Sequence, residues 1–186
     1  MQCIIRPYDD ATDRAKLIAL YRAAWHAAYD AIDGADTIER LITALTAGDT
    51  PEMFALPAGD LALVADDQGR IIGGARAHPR ADGVHISGLY VLPEMQHAGV
   101  GAALLAILLA KFPRDAVWRT DVRPEGPATL KFYARHGFAE VARGRADVGG
   151  GLVVDMIEMR RDPSAASTSN DLWSQHLEKH SDPGRA

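Results

Sequence analysis

Apolar positions along this chain fall into short strand-like runs separated by stretches with a helical period. Val84 to Val91 is the plainest strand; Pro93 stops it, Glu94 to Gly101 is rich in turn formers, and Ala102 to Phe112 is a helix apolar enough to be buried against a sheet. Ahead of it, Gln2 to Arg6 reads as a strand ended by Pro7. Asp9, Asp10 and Thr12 offer N-caps for a helix with Leu17, Leu20, Tyr21, Ala24, Trp25 and Ala28 on one face, running to about Tyr29. Asp30 to Asp36 reads as a loop, and Thr37 as the cap of a second helix carrying Ile38, Leu41, Ile42 and Leu45, closed by Gly48. Past the Pro51 and Pro57 loop, Leu61 to Ala65 and Arg70 to His78 are strands about an Asp66 to Gly69 turn, and Asp82-Gly83 turns the chain into Val84 to Val91. Downstream come a strand, Ala116 to Val122, and a helix, Ala128 to His136, with Gly137 at its end. Strands at Phe138 to Arg143 and Leu152 to Arg160 follow, linked through Gly144 to Gly151.

Short turns between successive strands imply an antiparallel meander, whereas the helical crossover after Val91 makes the next strand parallel to it. The expected fold class is α/β (α+β): a mixed, mostly antiparallel sheet of about seven strands with flanking helices, whose parallel pair can diverge around a ligand. Composition shifts to Ser, Ala, Thr, Asn and Asp from Asp162, which predicts a domain over residues 1–161 and a flexible tail over 162–186, with one or two marginal helical turns in Leu172 to His180. There is no internal repeat.

Composition narrows the function. A hydrophobic share of 47% supports a buried core, and a net charge of −5 with no gathered Lys and Arg argues against a nucleic-acid binder. The single cysteine, Cys3, excludes an internal disulfide and a zinc ribbon. The longest apolar run, Val100 to Ala110, falls far short of the roughly 20 residues of a membrane span, so the sequence reads as that of a cytoplasmic protein. His176 and His180 are spaced i, i+4, but without H-E-x-x-H or a third ligand no metal site is expected.

The candidate chemistry sits at the turn into the central helix. Residues opening a helix have N–H groups without intrahelical partners at the positive end of the dipole, and Gly99 and Gly101 let a phosphate approach the main chain. A Rossmann turn is excluded because Leu104 stands where its third glycine belongs, and there is no Gly-Lys-Ser/Thr for a P-loop. What remains is Gln96-His97-Ala98-Gly99-Val100-Gly101, a Q-x-x-G-x-G pattern preceded by Leu89-Tyr90-Val91-x-Pro93-Glu94. Together these closely resemble the coenzyme A pyrophosphate loop of the GNAT superfamily of N-acetyltransferases. Leu130 to Phe138 carries a second resemblance, to that family's L-x-F-Y-x-x-x-G-F helix. An ordinary glycine-softened connection is the alternative for the first motif, and an aromatic packing a short helix onto the sheet is the alternative for Tyr133.

The resemblance spans most of residues 1–161 and implies acetyl-coenzyme A as acyl donor, with no metal. Gln96, His97, Ala98, Gly99, Val100 and Gly101 would hold its pyrophosphate, and main-chain groups of Leu89, Tyr90 and Val91 would pair with its pantetheine arm and polarise the thioester carbonyl. Tyr133 would protonate the departing thiolate. Alignment through Leu89-Tyr90-Val91 puts His85 where many members have a carboxylate base, with Ser87 two residues on and hence on the same face; His85, Ser87 and water alone all stay open as the base. Gly126 stands where similar proteins have an asparagine that helps hold the cofactor. The acceptor pocket would involve Trp25, His26, Tyr29 and Asp33, in a Tyr21 to Tyr29 stretch similar to the opening helix of a bacterial subgroup; core packing is the competing role for these aromatics, and a solvated acidic loop for the aspartates. The implied function is acetyl transfer to a primary amine of a small molecule or a peptide N-terminus by direct attack in a ternary complex. A non-catalytic acyl-coenzyme A sensor is the alternative, and a homodimer through the last hairpin or the tail is a further option.

Overall fold

The computed structural model describes residues 3–47 and 56–163. The expected end of the second helix at Gly48, the Pro51 part of the following loop, the Leu172 to His180 segment and the His176 and His180 pair lie outside the described residues.

The meander is present as read. Strands β1 (Cys3–Pro7), β2 (Leu61–Asp67), β3 (Arg70–Arg80) and β4 (Gly83–Val91) pair antiparallel in succession. The β2–β3 turn is tighter than the sequence suggests: Asp66 and Asp67 belong to β2, and Gln68 and Gly69 alone reverse the chain with φ of 55° and 89°. Strand β3 outlasts its expected end at His78 and continues through Pro79, which pairs with Val84; pairing with β2 ends at Ala77, so the N–H that proline lacks is not missed on that side.

After helix α3 (Val100–Lys111), strand β5 (Trp118–Val122) lies parallel to β4, as the crossover requires. Helix α4 (Pro127–Arg135) then leads to β6 (Ala139–Asp147) and β7 (Val153–Arg161), and it is β7 that lies beside β5, giving the order β1-β2-β3-β4-β5-β7-β6. Sequence pattern does not reveal that exchange, because both strands of a hairpin are equally able to take the inner place.

Helices cover both faces of the sheet. A Cβ added to Gly73 would lie 3.0 Å from side-chain carbons of Leu104 and Val100 of α3, while one on neighbouring Gly74 would lie 2.8 Å from Leu17 Cδ1 of α1 (Asp10–Asp33). These two glycines let a helix approach β3 closely from each side. Helix α3 buries Val100, Leu104, Leu105 and Leu108, and the last three are fully shielded from solvent. Each such burial stabilises the fold by roughly 1.5–3 kcal/mol.

One expected loop is absent. Helix α1 does not stop near Tyr29 but continues to Asp33, and α2 (Ala35–Thr46) starts immediately after Gly34. Gly34, at φ 84°, donates its N–H to Asp30 O and accepts from the N–H groups of Thr37 and Ile38, closing one helix and opening the next. Asp30 and Asp33 are therefore helical residues, and Gly34 rather than Thr37 is the N-cap of α2.

Candidate active site

Strands β4 and β5 pair only at Val84 with Trp118, His85 with Arg119 and Ile86 with Thr120, although β4 continues to Val91 and β5 to Val122. Beyond those pairs the strands part. Leu92 donates its N–H to Ile72 O of β3 at 3.0 Å. Because N–H groups alternate between the two edges of an antiparallel strand, those of Leu89 and Val91 point away from β3, toward the side that β5 has left. Tyr90 differs: its N–H faces β3, and its ring packs on α1, 5.0 Å from Tyr21 and 5.8 Å from Trp25 between centroids.

The turn from β4 into α3 supplies a second set of free donors. Among the described residues, no backbone N–H from His97 to Ala102 has an intramolecular acceptor; the first N–H to be taken up is that of Ala103, 3.0 Å from Gly99 O. His97 and Gly99 both have positive φ, 66° and 84°, flanking Ala98, and Gln96 to Gly99 are exposed. Residues of alternating hand turn successive N–H groups toward one concave side, which suits an anion, and the α3 dipole adds to it. No side chain fills the turn at Gly99: a Cβ there would meet nothing within 4 Å, so glycine is needed for its backbone angle rather than for space. At Gly101 a Cβ would touch Leu89, Val91 and Phe132 at 3.5–3.7 Å, which places the cradle beside the open edge of β4 and beside α4.

Tyr133 is positioned by the end of α4. Gly137 takes φ 85°, and Phe138 donates its N–H back to Tyr133 O at 3.1 Å, so the helix closes directly below this residue. The ring is 4% exposed and packs against Phe132 and Phe138. Burial pushes the phenol up to about 12, and the neighbouring Thr120 hydroxyl pulls it partly back. Thr120 is the last residue of β5 paired with β4 and donates its hydroxyl to Ile86 O at 3.1 Å. Tyr133 thus holds its proton at the point where the strands diverge.

His85 reaches the other face. In the β3–β4 ladder Arg76 pairs with Gly88 and Ala77 with Ile86, so Ser87 is an extra, unpaired residue. This bulge resets the alternation. His85 comes to the α1 side of the sheet with His78, its partner on β3, their ring centroids 5.4 Å apart. His85 Nε2 lies 3.1 Å from Asp121 Oδ2.

The four residues singled out on α1 divide. Trp25 is buried and stacked on Tyr21. His26 bridges the helices, Nδ1 2.7 Å from Asp30 and Nε2 3.2 Å from Glu39 of α2, and these two carboxylates raise its pKa. Tyr29 and Asp33 join a cluster the sequence reading missed, built on Arg123, which is buried just past β5. Its guanidinium sits 4.4 Å from the Tyr29 ring centroid, pairs with Asp33 and lies 3.3 Å from Glu125. A charged residue at the carboxyl end of a strand that leaves its parallel neighbour was the available signal. Gly126, next in line, is the N-cap of α4 and carries no side chain to a ligand.

Among the described residues no group of three or more His, Cys, Asp or Glu is placed to hold a metal, and no helix is long and apolar enough to cross a membrane.

Comparison with known proteins agrees with this architecture. The chain is 23% identical to PaiA N-acetyltransferase from Thermoplasma acidophilum, solved in complex with coenzyme A, with a TM-score of 0.70 over 87% of this chain and 99% of that one. It is 21% identical to the ribosomal-protein-S18-alanine N-acetyltransferase of Escherichia coli, TM-score 0.63, over 87% and 94% of the two chains. A ribosomal-protein-alanine N-acetyltransferase from Brucella melitensis gives 20% identity and a TM-score of 0.60 over 86% and 99%. At these identities the likeness speaks to the fold. No curated protein matches in sequence. The model of the acetyltransferase (GNAT) family matches residues 15–138, from within α1 through the cradle to the end of the Tyr133 helix, and the chain therefore belongs to the acetyltransferase (GNAT) family.

Proposed function

We propose that the chain is an N-acetyltransferase that moves the acetyl group of acetyl-coenzyme A directly to a primary amine, of a small molecule or a peptide N-terminus, within a ternary complex. The observation that carries this reading is the continuity of free main-chain donors, from Leu89 and Val91 on the open edge of β4 to His97 through Ala102 at the head of α3. Such an arrangement suits an extended, amide-bearing arm that ends in a diphosphate. Gln96 to Gly101 would hold the pyrophosphate, and Leu89, Tyr90 and Val91 would flank the pantetheine arm. The outward N–H groups of β4 would also polarise the thioester carbonyl.

Acid and base approach the parted strands from opposite faces. Tyr133, on the α4 side and protonated at neutral pH, would give its proton to the thiolate as it leaves; His85, on the α1 side, would take one from the attacking amine. Trp25 and Tyr29 would wall the acceptor side, with His26 and Asp33 holding the frame behind them. The donor is a cytoplasmic metabolite in this reading, and the chain would act there. Gly126, which leaves the α4 N-cap without a side chain, favours the second reading of a non-catalytic acyl-coenzyme A sensor.

Thiol release from acetyl-coenzyme A over a panel of amines and N-terminal peptides tests the two against each other. Tyr133→Phe should lower kcat by about 10²–10⁴-fold while leaving donor affinity, measured calorimetrically, within about twofold. Tight donor binding by the wild type without thiol release from any amine would favour the sensor.

A further inference from the structure

We infer that Tyr90 sets the length of the acyl group: its ring closes the β4 flank of the parted strands on the α1 side and restricts the donor to a coenzyme A thioester with a chain as short as acetyl. The inference rests on the reading above, in which the outward N–H groups of Leu89 and Val91 meet the thioester carbonyl. Tyr90 stands between those two residues, so on the α1 side its side chain is the part of β4 nearest that carbonyl.

The ring does not stand upright from its strand. Tyr90 pairs with Gly74 and Gly88 with Arg76, so Tyr90 and Gly88 both face α1. Over Gly74 the helix comes down close, a Cβ there lying 2.8 Å from Leu17 Cδ1, and the Tyr90 ring lies back along β4 over Gly88. A Cβ on Gly88 would stand 2.9 Å from Tyr90 Cε2 and 3.5 Å from its Cδ2. Gly88 has no positive φ, so its backbone suits other residues and it is the ring that requires glycine. Tyr21, edge-on at 5.0 Å between centroids, and Trp25, at 5.8 Å, hold the ring from the helix side.

The other ways out of the split are closed or taken. At its narrow end β4 and β5 are still paired, Ile86 with Thr120, and the Thr120 hydroxyl is bonded to Ile86 O. The α4 side holds Tyr133, packed between Phe132 and Phe138. On the α1 side, the β5 flank is bordered by Tyr29 and by Arg123 with its partner Asp33, and this is the route left to the amine. A chain longer than acetyl therefore meets the Tyr90 ring or stands in the path of the acceptor. Added methylenes against a ring already held on two sides are crowded rather than accommodated.

The test is calorimetric titration, without amine, of coenzyme A and its acetyl, propionyl and butyryl thioesters into wild type, Tyr90→Phe and Tyr90→Leu, with circular dichroism to check each fold. Wild-type protein should bind the acetyl thioester within about threefold of coenzyme A and the butyryl thioester at least about tenfold more weakly, with propionyl between them. Tyr90→Phe, which keeps the ring, should hold that ratio, and Tyr90→Leu should bring the butyryl thioester to within about threefold of the acetyl one. Equal affinity of the wild type for acetyl and butyryl thioesters overturns the inference without any variant. So does a folded Tyr90→Leu protein that keeps full discrimination, or a Tyr90→Phe protein that loses it. A wild type that shows this selectivity but transfers acetyl to no amine defeats the transferase reading and leaves the inference standing, whereas one that binds neither coenzyme A nor its thioesters defeats both.

Discussion

At the scale of single residues, the most heavily determined group outside the site is Asp13. It is fully buried on α1 and accepts from both terminal nitrogens of Arg6 on β1, at 2.6 and 2.8 Å, and from the N–H of Asp9 at 3.0 Å. The Arg6 bonds hold its carboxyl at about 2, against an ordinary 3.8, although burial pushes the other way. A carboxyl depressed in the folded state contributes stability that is complete above its unfolded value and is lost as pH falls through the folded one. The contribution here is about 2 kcal/mol. Urea titrations of wild type and Asp13→Asn should therefore differ most above about pH 5, and the difference should shrink by about that amount on approaching pH 2. A difference constant with pH would separate Asp13 from the acid sensitivity. Tyr133 obeys the same physics with opposite sign, since burial alone favours its neutral form.

At the scale of elements, the cradle depends on main-chain angle more than on side-chain identity. Gly99 has open space beyond its missing Cβ but sits at φ 84°, so Gly99→Ala should cost roughly 1 kcal/mol of strain and still bind the donor. Gly99→Glu should add a carboxylate where a diphosphate is meant to sit and abolish measurable coenzyme A binding, with circular dichroism unchanged. Gly101→Glu should do the same, being in contact with Leu89 and Val91 on the donor path. Retained affinity in both glutamate variants would move the diphosphate elsewhere.

At the scale of the molecule, the sheet is a frame that holds two strands apart. Strand β4 is anchored to β3 along its length and β5 to β7 along its own, so each keeps one edge paired beyond Thr120 while the edges that face one another are left open. The last of the described strands, β7, is thus structural to the site even though it brings no candidate catalytic group. Because β7 ends at Arg161 paired with Trp118, a chain ending at Pro163 should keep its melting temperature within a few degrees and its donor affinity within about twofold. A shortened chain that fails to fold, or that loses the donor, would extend the domain beyond β7.

Much of this was legible in the order of residues. Local pattern located every described strand to within a few positions, and the Q-x-x-G-x-G loop and the Tyr133 helix were recognisable because a main-chain anion site requires glycine and turn geometry at fixed spacing, which sequence records directly. What local pattern could not carry is pairing. The Ser87 bulge, the insertion of β7 between β5 and β6, the ion pair of Arg123 with Asp33 and the meeting of His85 with Asp121 all join positions far apart in the chain. Their energies depend on which backbones lie side by side, and only the assembled tertiary structure sets that.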